Sequence, residues 1–318
     1  MIHSCGENIL ILVTGASGFI ATHLIQALHE KKRAIVSSGR SKPTRLRGDF
    51  ISAEHLVDVA GHIDCVVHLA GRAHVPRDAS LESREKFRSA NVQYLIDIAG
   101  AFGLKGTRRF IFISSIGVLG DETQPNLPFT HKSAPDPRNE YTQSKLEAEI
   151  ELRKVAEETG MEYVVIRPPM VYGADAKGNF ATMVRWLSRG LPLPFGLVEN
   201  RRSLVGVENL VDLIITSIDH PAAANRTFLV ADGKDISTKD LLKRTATAMG
   251  KTAFLLPVPP IILKAGLRYS GNEELAKRLL GSLEIDIEFT CRTLQWRPPL
   301  SFDIGLLNAV SGRIETPE

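Results

Sequence analysis

Val13-Thr14-Gly15-Ala16-Ser17-Gly18-Phe19-Ile20-Ala21 follows an apolar run, Ile9 to Val13, and leads into an amphipathic one with Leu24, Ile25 and Leu28 on one face. The pattern reads as a buried strand, a glycine turn and the first turn of a helix. Gly15 permits the tight turn, Gly18 lets a pyrophosphate approach the backbone, and small Ala21 lets helix pack close on strand. A helix N-terminus presents N–H groups and the positive end of its dipole to a phosphate. Gly15, Ser17, Gly18, Phe19 and Ile20 are therefore the candidate phosphate-loop residues.

Outward from this turn, apolar runs alternate with helical patterns. Strands are expected at Ile9–Val13, Ala34–Ser37, Cys65–Ala70, Phe110–Ser114 and Tyr163–Arg167, and helices at Ile20–Lys32, Arg84–Phe102 and Glu140–Thr159. Such alternation predicts an α/β fold, a Rossmann-like doubly wound parallel sheet whose ligands bind at the carboxyl ends of the strands. The expected dinucleotide-binding domain spans 1–172, with 203–232 returning to it. From about 169 the chain is richer in Pro and Gly, and 173–318 reads mainly as a smaller C-terminal substrate lobe.

The strand ends then carry the chemistry. Strand two ends at Ser38-Gly39-Arg40, with no carboxylate for a ribose 2′-hydroxyl. A cation there suits a 2′-phosphate, so NADP(H) is favoured and NAD(H) stays open. Asp49-Phe50 falls where a third strand would end. Asp49 would accept from an adenine amino group and Phe50 would line the ring. Leu69-Ala70-Gly71 follows the next strand, small enough for a cofactor to lie against the backbone. His68 is read as structural.

Composition sets the outer limits. The 318 residues are 43% hydrophobic and 24% charged, with a net charge of +3, as in an ordinary globular protein. That charge is too small to argue for nucleic acid, and the basic stretch Arg40, Lys42, Arg45 and Arg47 lacks interleaved aromatics. Cys5, Cys65 and Cys291 have no metal spacing, so no metal site is expected, and a reducing cytoplasm fits. No apolar run is long enough to span a membrane. The Ile261–Leu267 run, interrupted by Lys264 and followed by Arg268, reads as a core or interface helix rather than a membrane-surface one.

Strand five ends in Ser114-Ser115, and 26 residues after Ser115 comes Tyr141-Thr142-Gln143-Ser144-Lys145. Tyr141 and Lys145 stand i and i+4 on one helix face. An ammonium near a phenol favours the phenolate and lowers its pKa from about 10. Tyr141 would then serve as general acid/base, with the Ser115 hydroxyl steadying the reacting carbonyl or alkoxide.

These motifs resemble the extended short-chain dehydrogenase/reductases, in their nucleotide-sugar epimerase and reductase branch. The carriers are Thr14 to Ile20, His68-Leu69-Ala70-Gly71, Asn91, Ser114-Ser115 with Gly120-Asp121, Tyr141 to Lys145, and Arg167-Pro168-Pro169-Met170-Val171-Tyr172-Gly173. The resemblance implies Ser115, Tyr141 and Lys145 as catalytic residues, Lys145 also holding the nicotinamide ribose, and Pro168 beside the cofactor. It implies a UDP-sugar substrate, with Asn179-Phe180 meeting the nucleotide diphosphate and Arg202 binding it through a guanidinium fork. The subgroup most resembled is the UDP-glucose 4-epimerase-like one, which includes the UDP-N-acetylquinovosamine-forming 4-ketoreductases of bacterial O-antigen synthesis. Leu119 and Asn209 depart from the family pattern, where Tyr and Asp are usual.

Ile116-Gly117 stands where the 4,6-dehydratases of the family place an Asp-Glu pair, so elimination is not expected. Hydride transfer at C4 is left. Reduction of a UDP-4-keto-6-deoxy-N-acetylhexosamine is the first expectation, and 4-epimerisation of UDP-glucose or UDP-N-acetylglucosamine the alternative. A non-catalytic cofactor-sensing or assembly protein of this fold is a third reading, opposed by the presence of both Tyr141 and Lys145. The resemblance also implies a homodimer through Arg84–Phe102 and Glu140–Thr159, with Leu146, Ile150 and Leu152 on the second helix.

Overall fold

The computed structural model describes residues 9–42, 48–59, 61–72 and 81–312. Cys5, Arg45 and Arg47 lie outside these residues. By contact the chain forms two units. The first comprises the described residues to Val118, Pro137–Arg167 and Ile214–Phe228. The second comprises Leu119–Asp136, Pro168–Leu213 and the described residues from Leu229.

The first unit is built on a seven-stranded sheet. Its strands are β1 (Leu10–Thr14), β2 (Ala34–Gly39), β3 (Asp49–Ser52), β4 (Cys65–His68), β5 (Arg109–Ile113) and β6 (Glu162–Arg167), with β9 (Arg226–Leu229) at one edge. The order is β3-β2-β1-β4-β5-β6-β9, and the pairs from β3 through β6 are parallel. Strand order therefore reverses between β1 and β4, the switch point at which such sheets open a ligand crevice at their carboxyl ends. The α/β Rossmann-like class read from the sequence is the observed one.

Helices α1 (Phe19–Glu30), α2 (Leu56–Val59), α3 (Leu81–Arg88), α4 (Tyr94–Leu104) and α5 (Glu140–Thr159) flank the sheet. A π turn, Ser89–Gln93, joins α3 to α4 and carries the buried Asn91. Leu12, Val66, Leu95, Phe102, Phe110, Phe112, Leu152 and Val165 share one buried cluster. Leu152 is thus a core residue rather than an interface one, while Ile150 is exposed. Arg109 is buried, its charge met by Glu162 at 2.7 Å and by the carbonyls of Ser217, Ile218 and His220.

One strand departs from expectation. Asp49 opens β3 instead of ending it; it pairs with Val36, and Ser52 is the residue beside Gly39 at the carboxyl end. The sequence offers four half-polar residues here, too few to set a register by alternation.

The second unit pairs β7 (Met170–Tyr172) with β8 (Leu204–Gly206) in parallel. Around them are α6 (Asn179–Ser188), the start of α7 (Val207–Asp219), α8 (Thr238–Ala248), α9 (Pro260–Tyr269), α10 (Glu273–Leu280), α11 (Glu288–Leu294) and α12 (Phe302–Ser311). A small core joins Leu187, Leu193, Phe195, Val198, Leu242 and Ala246. Asp232 organises the β8 end. It accepts from Tyr172 Oη at 2.6 Å, from Asn209 Nδ2 at 2.7 Å and from Gly206 N at 2.9 Å. Asn209 also exchanges bonds with both backbone groups of Leu300. Its amide explains the departure from the family's Asp: a carboxylate there would face Asp232 with no donor between them. Helix α9 buries none of its residues, so of the expected core or interface helix the core reading is not what forms.

Candidate active site

The turn after β1 is held by backbone bonds from Gly18 N to Gly15 O and from Ala16 N to Ser38 O. Gly15 has φ +74°, and a Cβ on it would stand 2.7 Å from Ala70 N, so the turn leans on the chain leaving β4. Only glycine meets both demands. Helix α1 then starts at Phe19 with no side-chain cap and no acidic residue in its first turn. An uncapped, carboxylate-free N-terminus at the carboxyl edge of the sheet fits the pyrophosphate of a dinucleotide. Arg40 is exposed just beyond β2, and the Phe50 ring edge lies 3.9 Å from where a Gly39 Cβ would be.

His68 Nδ1 lies 3.0 Å from Thr14 Oγ1, and its ring packs among Tyr94, Phe110 and Phe112. Burial pushes its pKa down to about 3. It is a neutral core imidazole whose Nε2 is buried without a hydrogen-bond partner.

Helix α5 positions two candidates together. Asn139 caps it reciprocally with Thr142: Thr142 N donates to Asn139 Oδ1 at 3.0 Å and Asn139 N to Thr142 Oγ1 at 3.2 Å. This capping box sets the register of the first turn. Tyr141 falls in that turn with its phenol beside the Ser115 side chain, while Ser115 Oγ accepts from Gly117 N at 3.2 Å. One turn on, Lys145 is buried, donating to the Ile113 carbonyl at 2.9 Å with its ammonium 4.6 Å from the Phe112 ring centre. A Cβ at Gly71 would lie 3.5 Å from Lys145 Nζ and 3.1 Å from Asn91 Oδ1. The end of β4 and the ammonium are therefore neighbours.

The electrostatics correct one expectation. Burial pushes Tyr141 up to about 12, the Ser115 bond working against it, rather than Lys145 pulling the phenol down. The Lys145 ammonium is itself pushed down to about 8 by burial, with the Glu149 carboxylate opposing. Desolvation outweighs the pair attraction because both groups are enclosed and the ammonium is turned toward Ile113.

Three further residues complete this cluster: Asn91 and Gly117, which the family resemblance had marked without a role at the site, and Glu149, which the sequence did not single out. Asn91 Oδ1 accepts from Arg72 N at 2.7 Å, and its Nδ2 donates to Ser144 Oγ at 2.9 Å, tying the β4 exit to α5. Glu149 is fully buried, accepting from Ser114 Oγ at 2.5 Å and from Arg167 Nε and Nη2 at 2.9 and 2.6 Å. A polar side chain every fourth residue after Tyr141 (Lys145, then Glu149) was the available signal for it. Gly117 is the third. A Cβ there would stand 2.6 Å from Thr142 Cγ2, which leaves no room for the dehydratases' acidic side chain.

In the second unit Arg201 and Arg202 part company. Arg201 is an exposed ion-pair partner of Glu284 and Asp235. Arg202 is half-buried, donating to the Gly281 carbonyl at 3.0 Å; burial lowers its pKa, with Glu122 opposing and the Arg278 charge adding to the lowering. Asn179 is exposed at the start of α6, behind Gly178, and Phe180 is buried against Tyr172. Pro168 is the residue after β6.

A family profile described as the NAD dependent epimerase/dehydratase family matches residues 11–231. A UDP-glucose 4-epimerase of Vibrio cholerae is 41% identical over 303 residues, 93% of this chain and 92% of that protein. Among solved structures, the UDP-glucose 4-epimerase of Thermotoga maritima with UDP-glucose is similar with a TM-score of 0.79 at 23% identity, covering 97% of this chain and all of that one (100%). RMD from Pseudomonas aeruginosa, complexed with NADPH, is similar with a TM-score of 0.73 at 23% identity, over 95% and 98% of the two chains.

Proposed function

The chain belongs to the NAD dependent epimerase/dehydratase family, and from that premise we propose that it is an oxidoreductase acting at C4 of a UDP-sugar. The observation that carries the reading is the convergence of Ser115, Tyr141 and the buried Lys145 at the carboxyl end of β5, where Lys145 donates to the Ile113 carbonyl. The first unit binds the dinucleotide and the second the nucleotide-sugar. Gly15 to Ile20 take the pyrophosphate, Leu69 to Gly71 and Pro168 line the cofactor, and Asn179 and Arg202 take the substrate diphosphate. Asp49, at the opening of β3, is left out of this set.

A bound nicotinamide supplies or accepts the hydride at C4. In the reductive direction Tyr141 donates its proton to the C4 oxygen as the carbonyl becomes an alcohol. Ser115 holds that oxygen, and Lys145, one helical turn beyond Tyr141, is placed to hold the nicotinamide ribose. Both Ser115 and Tyr141 are placed by backbone geometry rather than by flexible loops, which favours an organised transition state.

Reduction of a UDP-4-keto-6-deoxy-N-acetylhexosamine with NADPH, as in surface-polysaccharide synthesis, is the reading favoured by Arg40 and by the lack of an acidic residue ending β2. The second reading, a 4-epimerase that returns its hydride to the same carbon, is favoured by the 41% identical relative. Both use the same three side chains. Incubation with the keto-sugar and NADPH should consume cofactor in stoichiometric amount. C4 inversion of UDP-glucose or UDP-N-acetylglucosamine without net cofactor change selects the epimerase instead. Inactivity in both overturns the substrate class. Arg40→Ser should weaken NADPH binding more than NADH binding; equal effects remove the 2′-phosphate argument. A homodimer through α3, α4 and α5 belongs to the same proposal, and a monomer mass by light scattering at micromolar protein would remove it.

A further inference from the structure

Helix α9 has two apolar sides. At 100° per residue, Leu263 and Leu267 share the face that packs toward the small core of the second unit, where Leu263 meets the Leu187–Ala246 cluster. Ile261, Ala265 and Tyr269, spaced four apart, form a second line on the opposite side, with Ile262 beside it. Ile261 is 77% exposed, Ile262 58% and Tyr269 98%. The segment before the helix adds Phe254 at 62% and Leu256 at 38%. It is held against the chain by Leu193 N to Phe254 O at 2.9 Å and Leu256 N to Leu193 O at 2.8 Å, so these side chains project from fixed backbone. Four large apolar side chains stand out within nine residues, in a region whose inward-facing residues already have a core.

Along the chain, the charge up to the start of α10 has one sign. No carboxylate occurs from Leu241 to Asn272, while Lys243, Arg244, Lys251, Lys264 and Arg268 do. Lys264 and Arg268 run along one flank of the outward line, i and i+4. Acidic residues resume only at Glu273, which Arg268 approaches at 3.5 Å. Arg244 pairs with Asp303, and Lys251 donates to the Ser188 carbonyl, which leaves Lys264 and Arg268 as the cations carried by α9 itself.

What would cover this surface must accept apolar side chains and attract cations together. A second copy of the chain is disfavoured, because an isologous contact would set the carboxylate-free strip against itself. An anionic bilayer meets both demands: headgroup phosphates take Lys264 and Arg268, and the acyl boundary takes Ile261, Ile262 and Phe254. The helix has ten residues, and among the described residues no helix is long and apolar enough to cross a membrane, so the contact would lie on the surface.

We propose that α9, with Phe254 and Leu256, is a docking surface through which the protein binds an anionic lipid membrane peripherally. The inference does not depend on which sugar is turned over or on the cofactor. It assigns a place to the apolar run at Ile261–Leu267 that hydride transfer does not use.

The test is flotation of the full chain with vesicles containing phosphatidylglycerol and, separately, with vesicles of phosphatidylcholine alone. The wild type should bind the anionic vesicles at least tenfold more tightly, with binding weakened by added salt. Ile261→Asp with Ile262→Asp should abolish flotation, and both sites are exposed, so the urea midpoint should hold. Lys264→Ala with Arg268→Ala should weaken binding and flatten its salt dependence. Ile261→Trp keeps the surface apolar and gives a second readout: its added emission should shift to the blue on anionic vesicles. Failure of the wild type to float, equal binding to both vesicle types, or an unimpaired Asp double variant would each overturn the proposal. So would a lipid-free dimer that the same double variant dissociates, since the face would then be covered by a second copy.

Discussion

The Lys145 ammonium donates to the Ile113 carbonyl at 2.9 Å, which fixes a charge at the last residue of β5, two residues before Ser115. The contact holds the ammonium at the strand end whose next residues carry the candidate chemistry. Lys145→Met removes the charge and keeps the packing volume. Turnover should fall by about two orders of magnitude or more, while the urea midpoint should not fall, since a desolvated charge is replaced by an apolar group. A large loss of stability would mean that Lys145 is chiefly structural.

Glu149 sits one turn beyond Lys145, fully buried between Ser114 and Arg167. Glu149→Gln breaks a buried ion pair, with an expected cost of about 3–5 kcal/mol in urea unfolding. It also withdraws the influence that holds Lys145 up. The ammonium form exists below its pKa and is lost as pH rises through it. An alkaline limb of kcat/KM set by this ammonium, expected near pH 8 in the wild type, should therefore move to lower pH in the variant. An unmoved limb would separate Glu149 from the site.

Tyr141→Phe keeps the ring and removes the phenolic proton beside Ser115. A drop in kcat of about 10²–10⁴ is expected for a lost general acid/base, with cofactor binding retained. Cofactor titration by fluorescence alongside turnover distinguishes this from general damage; full activity would retire the assignment.

Gly71→Ala tests the close approach at the end of β4. The added Cβ would stand 3.1 Å from Asn91 Oδ1 and 3.5 Å from Lys145 Nζ. Cofactor affinity should weaken at least tenfold with little change in thermal midpoint. Unchanged affinity would mean the cofactor does not lie against this backbone.

His68 supplies a pH signature of stability. Its native pKa is held down to about 3 by burial, against 6.5 for the ordinary residue. Between those values the unfolded chain binds the extra proton, so stability rises with pH and is lost as pH falls from 6.5 toward 3. The slope from one such proton is at most about 1.4 kcal/mol per pH unit. His68→Gln should show a shallower fall in urea midpoint between pH 6.5 and 5 than the wild type. Parallel curves would contradict a buried neutral imidazole.

Much of this was legible in one dimension because it depends on local patterns. The glycine turn at Gly15–Gly18, the alternation of apolar strands with amphipathic helices, and the i, i+4 spacing of Tyr141 and Lys145 are short-range signals. The boundaries of α5 follow from a cap at Asn139 and Gly160 at the other end, and so they matched the reading to the residue. What the sequence could not rank were groups whose roles depend on burial. Whether Tyr141 is pulled down by a cation or pushed up by desolvation is decided by where the ammonium turns. Only the packed β5–α5 contact turns it to Ile113. Glu149 and Asn91 are ordinary polar residues in a helix until the fold encloses them with Arg167, Ser114, Arg72 and Ser144. Leu152 and Ile150 are both apolar helix residues, and the sheet takes one into its core and leaves the other in solvent. Ile261 and Ile262 lie in a run the sequence reads as a core or interface helix. The fold packs their neighbour Leu263 against its small core and leaves these two outside, because a helix of ten residues has only one side to give to so small a core.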